Sequence, residues 1–257
     1  MSLLEVKGIS KSFGGLKAVS DVSMSVEEGS ITAVIGPNGA GKTTFFNMIT
    51  GFYNPDEGEI IFNNNRLNGF RPDKVVRAGI SRTFQNIRLF KKMTAIENVM
   101  VGMDSRLKSG LFSILLNKLN ARQEEKKVLE QAYEMLKYIG IEEVANYEAG
   151  DLPYGVQRRL EIARALMSQP KILLLDEPAA GMNPRETHDI TQFIIRLRDE
   201  LNLTILLIEH DMKLVMGLSE YIHVLDYGVK IAEGTPDHIK NNPRVIEAYL
   251  GKQDDAS

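Results

Sequence analysis

A chain of 257 residues, 43% hydrophobic and 25% charged, carries enough apolar side chain for a substantial core, which excludes disordered and fibrous classes. Its formal charge of -3 offers no broad cationic surface for counterion release, so no nucleic acid partner is expected. Cysteine is absent, which excludes disulfides, thiolate nucleophiles and zinc–thiolate sites and fits a reducing compartment.

Residues 1–7 lack the basic start and apolar run of a secretory signal, so the chain is expected to stay where it is made. Val22, Met24 and Val26 alternate with Ser23 and Ser25, and Ile60, Ile61 and Phe62 follow a turn-rich stretch at 54–58. Both read as strands of a small antiparallel sheet. The runs at 31–35, 80–84, 172–175, 204–208 and 221–225 are almost continuously apolar and separated by helical patterns, as in a mostly parallel sheet covered on both faces. Strand-length runs fall far short of the roughly 20 apolar residues of a membrane helix, so a membrane role has to come through a partner.

Thr94 with Glu97 has the spacing of a capping box. Further on, Val128, Ala132, Met135, Leu136 and Ile139 recur at helical spacing until Gly140. Asn183, Pro184 and Glu186 supply an N-cap, a first-turn proline and a capping glutamate for a helix with Ile190, Ile194, Leu197 and Leu201 inward. Residues 254–257 read as a frayed tail. The expected fold is α/β, one domain over 1–257: a core of 1–90 and 170–257 with an antiparallel layer, and a helical insertion at 91–169.

Gly36, Pro37, Asn38, Gly39, Ala40, Gly41, Lys42 and Thr43 match a phosphate-binding loop, between the apolar run at 31–35 and a helix carrying Phe45, Phe46 and Ile49. Its glycines let main-chain amides curl around polyphosphate, Lys42 brings an ammonium to the outer phosphates, and Thr43 offers a hydroxyl to Mg²⁺. Asp176 and Glu177 close the run at 172–175, and successive side chains of a strand point to opposite sides. The expectation is Asp176 toward Mg²⁺ through water and Glu177 toward the attacking water.

Between these motifs stand Leu152, Pro153, Tyr154, Gly155, Val156 and Gln157, followed by 158–166. This segment resembles the ABC signature and its helix, and the ordered set makes nearly the whole chain similar to the P-loop ATPases of ABC systems. The resemblance implies a head-to-tail dimer with a second ATPase subunit, each signature covering ATP on the other's phosphate loop. Gly155, Val156 and Gln157 then face ATP in trans, although Pro153, Tyr154 and Val156 depart from the family's leucine-serine-glycine-glycine-glutamine. It further implies that Phe13 stacks on adenine, Thr44 joins the nucleotide site, Gln85 touches Mg²⁺, His210 contacts the γ-phosphate, and Asn183 lies in the dimer-contact loop.

The segment 82–90, the insertion Leu107-Lys108-Ser109-Gly110-Leu111-Phe112, the proline-tyrosine signature, 179–184, and the ending Glu247-Ala248-Tyr249-Leu250-Gly251 look like importer ATPases for branched-chain amino acids. That resemblance implies polytopic permease partners, an extracytoplasmic solute-binding protein and a peripheral place on the cytoplasmic face of the membrane. Two alternatives share the motifs: a lipopolysaccharide-export ATPase, and a soluble ABC ATPase of the iron–sulfur-assembly type.

Overall fold

The computed structural model describes residues 1–103 and 118–250, with side-chain surroundings left out for 118–125. The insertion at 107–112, Gly251 and the tail at 254–257 lie outside the described residues. Two units divide the chain, one of 1–75 with 174–257 and one of 76–173.

In the first unit, β1 (Ser2–Phe13) pairs antiparallel with β2 (Leu16–Glu27) and β4 (Glu57–Phe62), and β4 with β5 (Asn65–Arg66), giving the order β2-β1-β4-β5. β1 was not foreseen. Its alternation is interrupted by Gly8 and by shifts of register against β2 between Val6 and Ile9 and again between Ile9 and Lys11.

The second sheet of this unit runs β10-β9-β3-β8-β7, with β3 (Ile31–Ile35), β7 (Ile172–Asp176), β8 (Thr204–Ile208), β9 (Tyr221–Asp226) and β10 (Val229–Gly234). β3 pairs parallel with β8 and β9, whereas β10 returns antiparallel. Every residue of β3, β7 and β8 is buried, as continuous apolar runs demand. Parallel pairing brings the C-terminal ends of β3 and β8 side by side, with Val34 opposite Ile208.

Helix α1 (Lys42–Ile49) follows β3, and α2 (Pro72–Ala78) leads to the second unit. Helix α6 (Pro184–Leu201) starts on the expected capping box: Asn183 Oδ1 accepts from the amides of Arg185 at 3.0 Å and Glu186 at 3.1 Å. Ile190, Phe193, Ile194 and Leu197 are its buried residues. Leu201, expected inward, is 45% exposed because it is the last helical residue, and Asn202 turns left-handed straight after it.

In the second unit, β6 (Ile80–Arg82) ends two residues before the apolar run at 80–84 does, so Gln85 follows a short loop. The carbonyl of Gly79 accepts from the amides of Lys171 and Ile172, which lays β6 beside the start of β7. The other elements are helices: α3 (Ala95–Val101), α4 (Lys118–Ile139) and α5 (Tyr154–Leu166). Thr94 and Glu97 form the expected capping box on α3. Along α4, Val128, Ala132, Leu136 and Ile139 are buried, while Met135 is only half-buried.

Candidate functional site

The phosphate loop occupies 36–43, at the end of β3 and the start of α1. Gly36 and Gly41 have φ of 151° and 95°, and no side chain could sit at either place: a Cβ would meet the Leu225 carbonyl oxygen at 2.0 Å and the Ala18 carbonyl oxygen at 2.4 Å respectively. The Gly228 amide donates to the Ala40 carbonyl at 3.1 Å, which ties the loop to the turn between β9 and β10. No side chain caps α1, so its first amides keep their affinity for an anion.

Lys42 is buried, and its Nζ donates to the carbonyls of Gly36 at 2.6 Å and Pro37 at 2.9 Å. Burial pushes this ammonium below the ordinary lysine pKa, with the carboxylates of Glu177 and Asp176 pulling it back up. A polyphosphate would act in the same direction as those carboxylates. Around the lysine, Asn38, Gly39 and Thr43 are exposed and Pro37 and Thr44 half-buried, whereas Ala40 is buried and packs beneath the loop.

Asp176 is buried at the end of β7. Glu177, the next residue, adopts a left-handed backbone with φ of 48°, uncommon for any residue other than glycine. Its amide donates to the Ile208 carbonyl at 2.9 Å, which carries the pairing of β7 and β8 one residue past the strand. Beyond β8, Glu209 is buried and accepts from the amides of Ala179 at 3.1 Å and His210 at 3.1 Å. This carboxylate, unassigned in the sequence reading, ties the loop after Glu177 to the end of β8. Desolvation raises its pKa, and those amide donors oppose the shift.

Glu177 Oε2 and His210 Nδ1 lie 3.5 Å apart, with the histidine 59% exposed and the glutamate 16%. Phe13 stands at the tip of the β1–β2 hairpin and is 43% exposed, so the ring is no plug of the sheet. The Tyr53 ring meets it edge-on at 5.2 Å. Asn183 is exposed and uses its side-chain oxygen to cap α6. Phosphate loop, Asp176, Glu177, His210, Phe13 and Asn183 all belong to the first unit.

Gln85, Gly155, Val156 and Gln157 belong to the second unit. Gln85 is exposed, and its carbonyl accepts from Arg158 Nη2 at 2.9 Å. Pro153 stands at the N-cap of α5 without any side-chain cap. Gly155 and Val156 are half-buried in the first turn, and the Gln157 side chain folds back to donate to the Leu152 carbonyl at 2.7 Å. The buried pair of Arg158 and Glu161 beneath them was not foreseen, since charged residues in a signature helix read as solvated; their opposite charges at i and i+3 are the one signal present.

The family model described as ABC transporter matches residues 19–180, and one described as Branched-chain amino acid ATP-binding cassette transporter matches 229–255. The chain therefore belongs to the ABC transporter family, as one of its ATP-binding, ATP-hydrolysing subunits. It is 52% identical over 250 residues to the high-affinity branched-chain amino acid transport ATP-binding protein LivG of Salmonella typhimurium (strain LT2), covering 97% of this chain and 98% of that one. The solved structure of the ADP conformation of MJ1267, an ATP-binding cassette of an ABC transporter, superposes with a TM-score of 0.85 at 36% identity, over 98% of this chain and 100% of that one. A dimeric post-hydrolysis state of the cassette MJ0796 bound to ADP and Pi superposes with a TM-score of 0.76 at 26% identity, over 91% and 98%.

Proposed function

We propose that this chain binds and hydrolyses ATP to power import of branched-chain amino acids through partner permeases. The observation that carries the mechanism is the meeting, at the ends of adjacent strands β3, β8 and β7, of the phosphate loop, His210 and the pair Asp176–Glu177. The solute is supported by the 52% identity, across almost the whole chain, to a protein named for branched-chain amino acid transport. As the ATP-binding subunit of a transport system the chain implies membrane permease partners and dimerisation. Among the described residues, no helix is long and apolar enough to cross a membrane. The reading adds a solute-binding protein outside the membrane and a peripheral place on its cytoplasmic face.

In this reading Phe13 stacks on adenine, and 36–44 enclose the phosphates with main-chain amides and Lys42. Hard oxygen donors of few carboxylates suit Mg²⁺, which keeps waters and phosphate oxygens in its shell. The residues of the first unit fit that requirement: Thr43 offers an exposed hydroxyl and Asp176 a buried carboxylate; the amide oxygen of Gln85 is the further contact proposed. Bound there, Mg²⁺ would neutralise charge on the phosphates.

Glu177 orients and polarises water toward the γ-phosphate, and His210 senses that phosphate. The left-handed turn at Glu177 aims its carboxylate off the strand axis toward His210, in keeping with such a task. Gly155, Val156 and Gln157 at the start of α5 would close over ATP of a second subunit, where the positive helix end suits a phosphate. Asn183 would lie at the dimer contact. The core of 1–90 with 170–257 holds the nucleotide, and 91–169 forms the helical subdomain.

The test is uptake of labelled leucine, isoleucine and valine by proteoliposomes holding the chain with the permeases that co-purify with it. ATP-dependent accumulation, strengthened by a co-encoded binding protein, is the expected result. Hydrolysis without uptake of any of the three would transfer the chain to another solute class.

A further inference from the structure

Beneath the start of the signature helix, Arg158 has no exposed surface and Glu161 only 1%, and Arg158 Nη1 meets Glu161 Oε2 at 3.0 Å. Both partners also bind one short stretch of main chain. Nη1 also donates to the Phe84 carbonyl at 2.7 Å and Nη2 to the Gln85 carbonyl at 2.9 Å. Glu161 Oε1 accepts from the amides of Phe84 at 3.4 Å and Arg88 at 3.2 Å. Nη2 donates in addition to the Tyr154 hydroxyl at 3.2 Å, while Nε is buried without a partner among the described residues.

The energetics say what this arrangement is for. A buried ion pair is rarely more stabilising than apolar packing of the same volume, because desolvation offsets the attraction. Here burial raises the Glu161 carboxyl's pKa even with the guanidinium beside it. What apolar side chains could not do is bind the carbonyls of Phe84 and Gln85 and the amides of Phe84 and Arg88. β6 has ended at Arg82, so these groups have no strand ladder to hold them. Placement of the backbone, not net stability, is what the pair provides.

We infer that Arg158 and Glu161 are positioning residues that bind Gln85 and the first turn of the signature helix into one piece, so that the placement of Gln85 depends on them. Tyr154 belongs to the same device: at a position where the family pattern has glycine, its hydroxyl gives Nη2 a second acceptor beside the Gln85 carbonyl. The inference rests on the reading of Gln85 as a Mg²⁺ contact.

The test measures ATP hydrolysis across a Mg²⁺ titration by the full chain purified with its membrane partners, alongside nucleotide binding without Mg²⁺. Arg158→Gln combined with Glu161→Gln removes both charges together, so neither is stranded. This pair of changes is expected to raise half-activating Mg²⁺ about tenfold and Tyr154→Phe about threefold, as the loss of charged and single hydrogen bonds implies. Mg²⁺-free binding should stay within about twofold, and neither change should worsen Gln85→Ala, since all act through one side chain. Arg158→Lys, with one point charge in place of a fork, should not restore the wild-type profile.

If Gln85→Ala itself keeps a normal Mg²⁺ profile, the assignment of Gln85 fails and the inference with it. If Gln85→Ala is shifted while Tyr154→Phe and the neutral pair are not, or if their effects multiply with it, only the positioning role is overturned. Should the neutral pair not fold, Tyr154→Phe, whose ring is 44% exposed, decides alone between these outcomes.

Discussion

Glu177 and His210 face each other across adjacent strand ends, Oε2 to Nδ1 at 3.5 Å, and the glutamate reaches that place only by adopting a left-handed backbone. A non-glycine residue there costs on the order of 1–3 kcal/mol, which the hydrogen bond from the Glu177 amide to the Ile208 carbonyl and the two amides held by Glu209 help to offset. Strain kept at a carboxylate beside a phosphate loop has a functional reading: it turns the acid toward the place where water must be held.

Glu177→Gln keeps the size, the backbone amide and the turn, and removes only the charge. Hydrolysis is expected to fall by at least about 100-fold, the range of a lost general base. ATP binding should remain, and ATP should hold two copies together on size-exclusion chromatography. Steady-state turnover within a few-fold of wild type would remove Glu177 from the reaction.

Phe13 is exposed at a hairpin tip and braced by the edge of Tyr53. Ring stacking on a base is worth about 1–3 kcal/mol, so Phe13→Ala should raise the ATP concentration for half-maximal rate about tenfold while kcat changes less than about twofold. Phe13→Tyr keeps the ring face and should behave as wild type. Equal losses in kcat and in kcat/KM for the alanine variant would place Phe13 in the chemistry instead of in binding.

The parts of this architecture written in sequence are those where one force dominates. β3, β7 and β8 are buried on both faces and appear as unbroken apolar runs; the helix starts at Thr94 and Asn183 are local hydrogen-bonding patterns. β10 escaped notice because it has no buried residue, with Val229 46% exposed, so neither alternation nor a run marks it. The phosphate loop is legible because its chemistry is main-chain and needs glycine at fixed places. Arg158, Glu161 and Glu209 were not, because what gives each its role is in large part a set of carbonyls and amides 30 to 77 residues away in the chain, as in the bonds between Ala179 and Glu209 and between Phe84 and Glu161.

Gly36 and Gly39 share the phosphate loop and separate two costs. A Cβ at Gly36 would press on the Leu225 carbonyl oxygen, while one at Gly39 would meet nothing within 4 Å and suffer only from its φ of 82°. Gly36→Ala should therefore lose about 2–4 kcal/mol in urea unfolding and Gly39→Ala about 1 kcal/mol. Equal losses would mean that the close approach of the loop to β9 does not limit the first glycine.

Glu209 offers a pH signature of unusual sign. Burial raises its carboxyl above the ordinary glutamate pKa of 4.5, against the pull of the amides of Ala179, His210 and Asp211. Between 4.5 and that raised value the folded chain binds more protons at this site than the unfolded chain, so the site's contribution to stability falls as pH rises. The contribution is complete below the unfolded pKa and disappears as pH passes through the folded one. Glu209→Gln cannot titrate, and the ionisable groups that do not touch Glu209 are common to both proteins and cancel in their difference. Unfolding free energies in urea, measured for both from about pH 4 to about pH 8, should show the wild type's advantage over Glu209→Gln shrinking with rising pH. An advantage that grows with pH would mean that the amides, not burial, govern this carboxylate, and that it is held as a stable anion between the ends of β7 and β8.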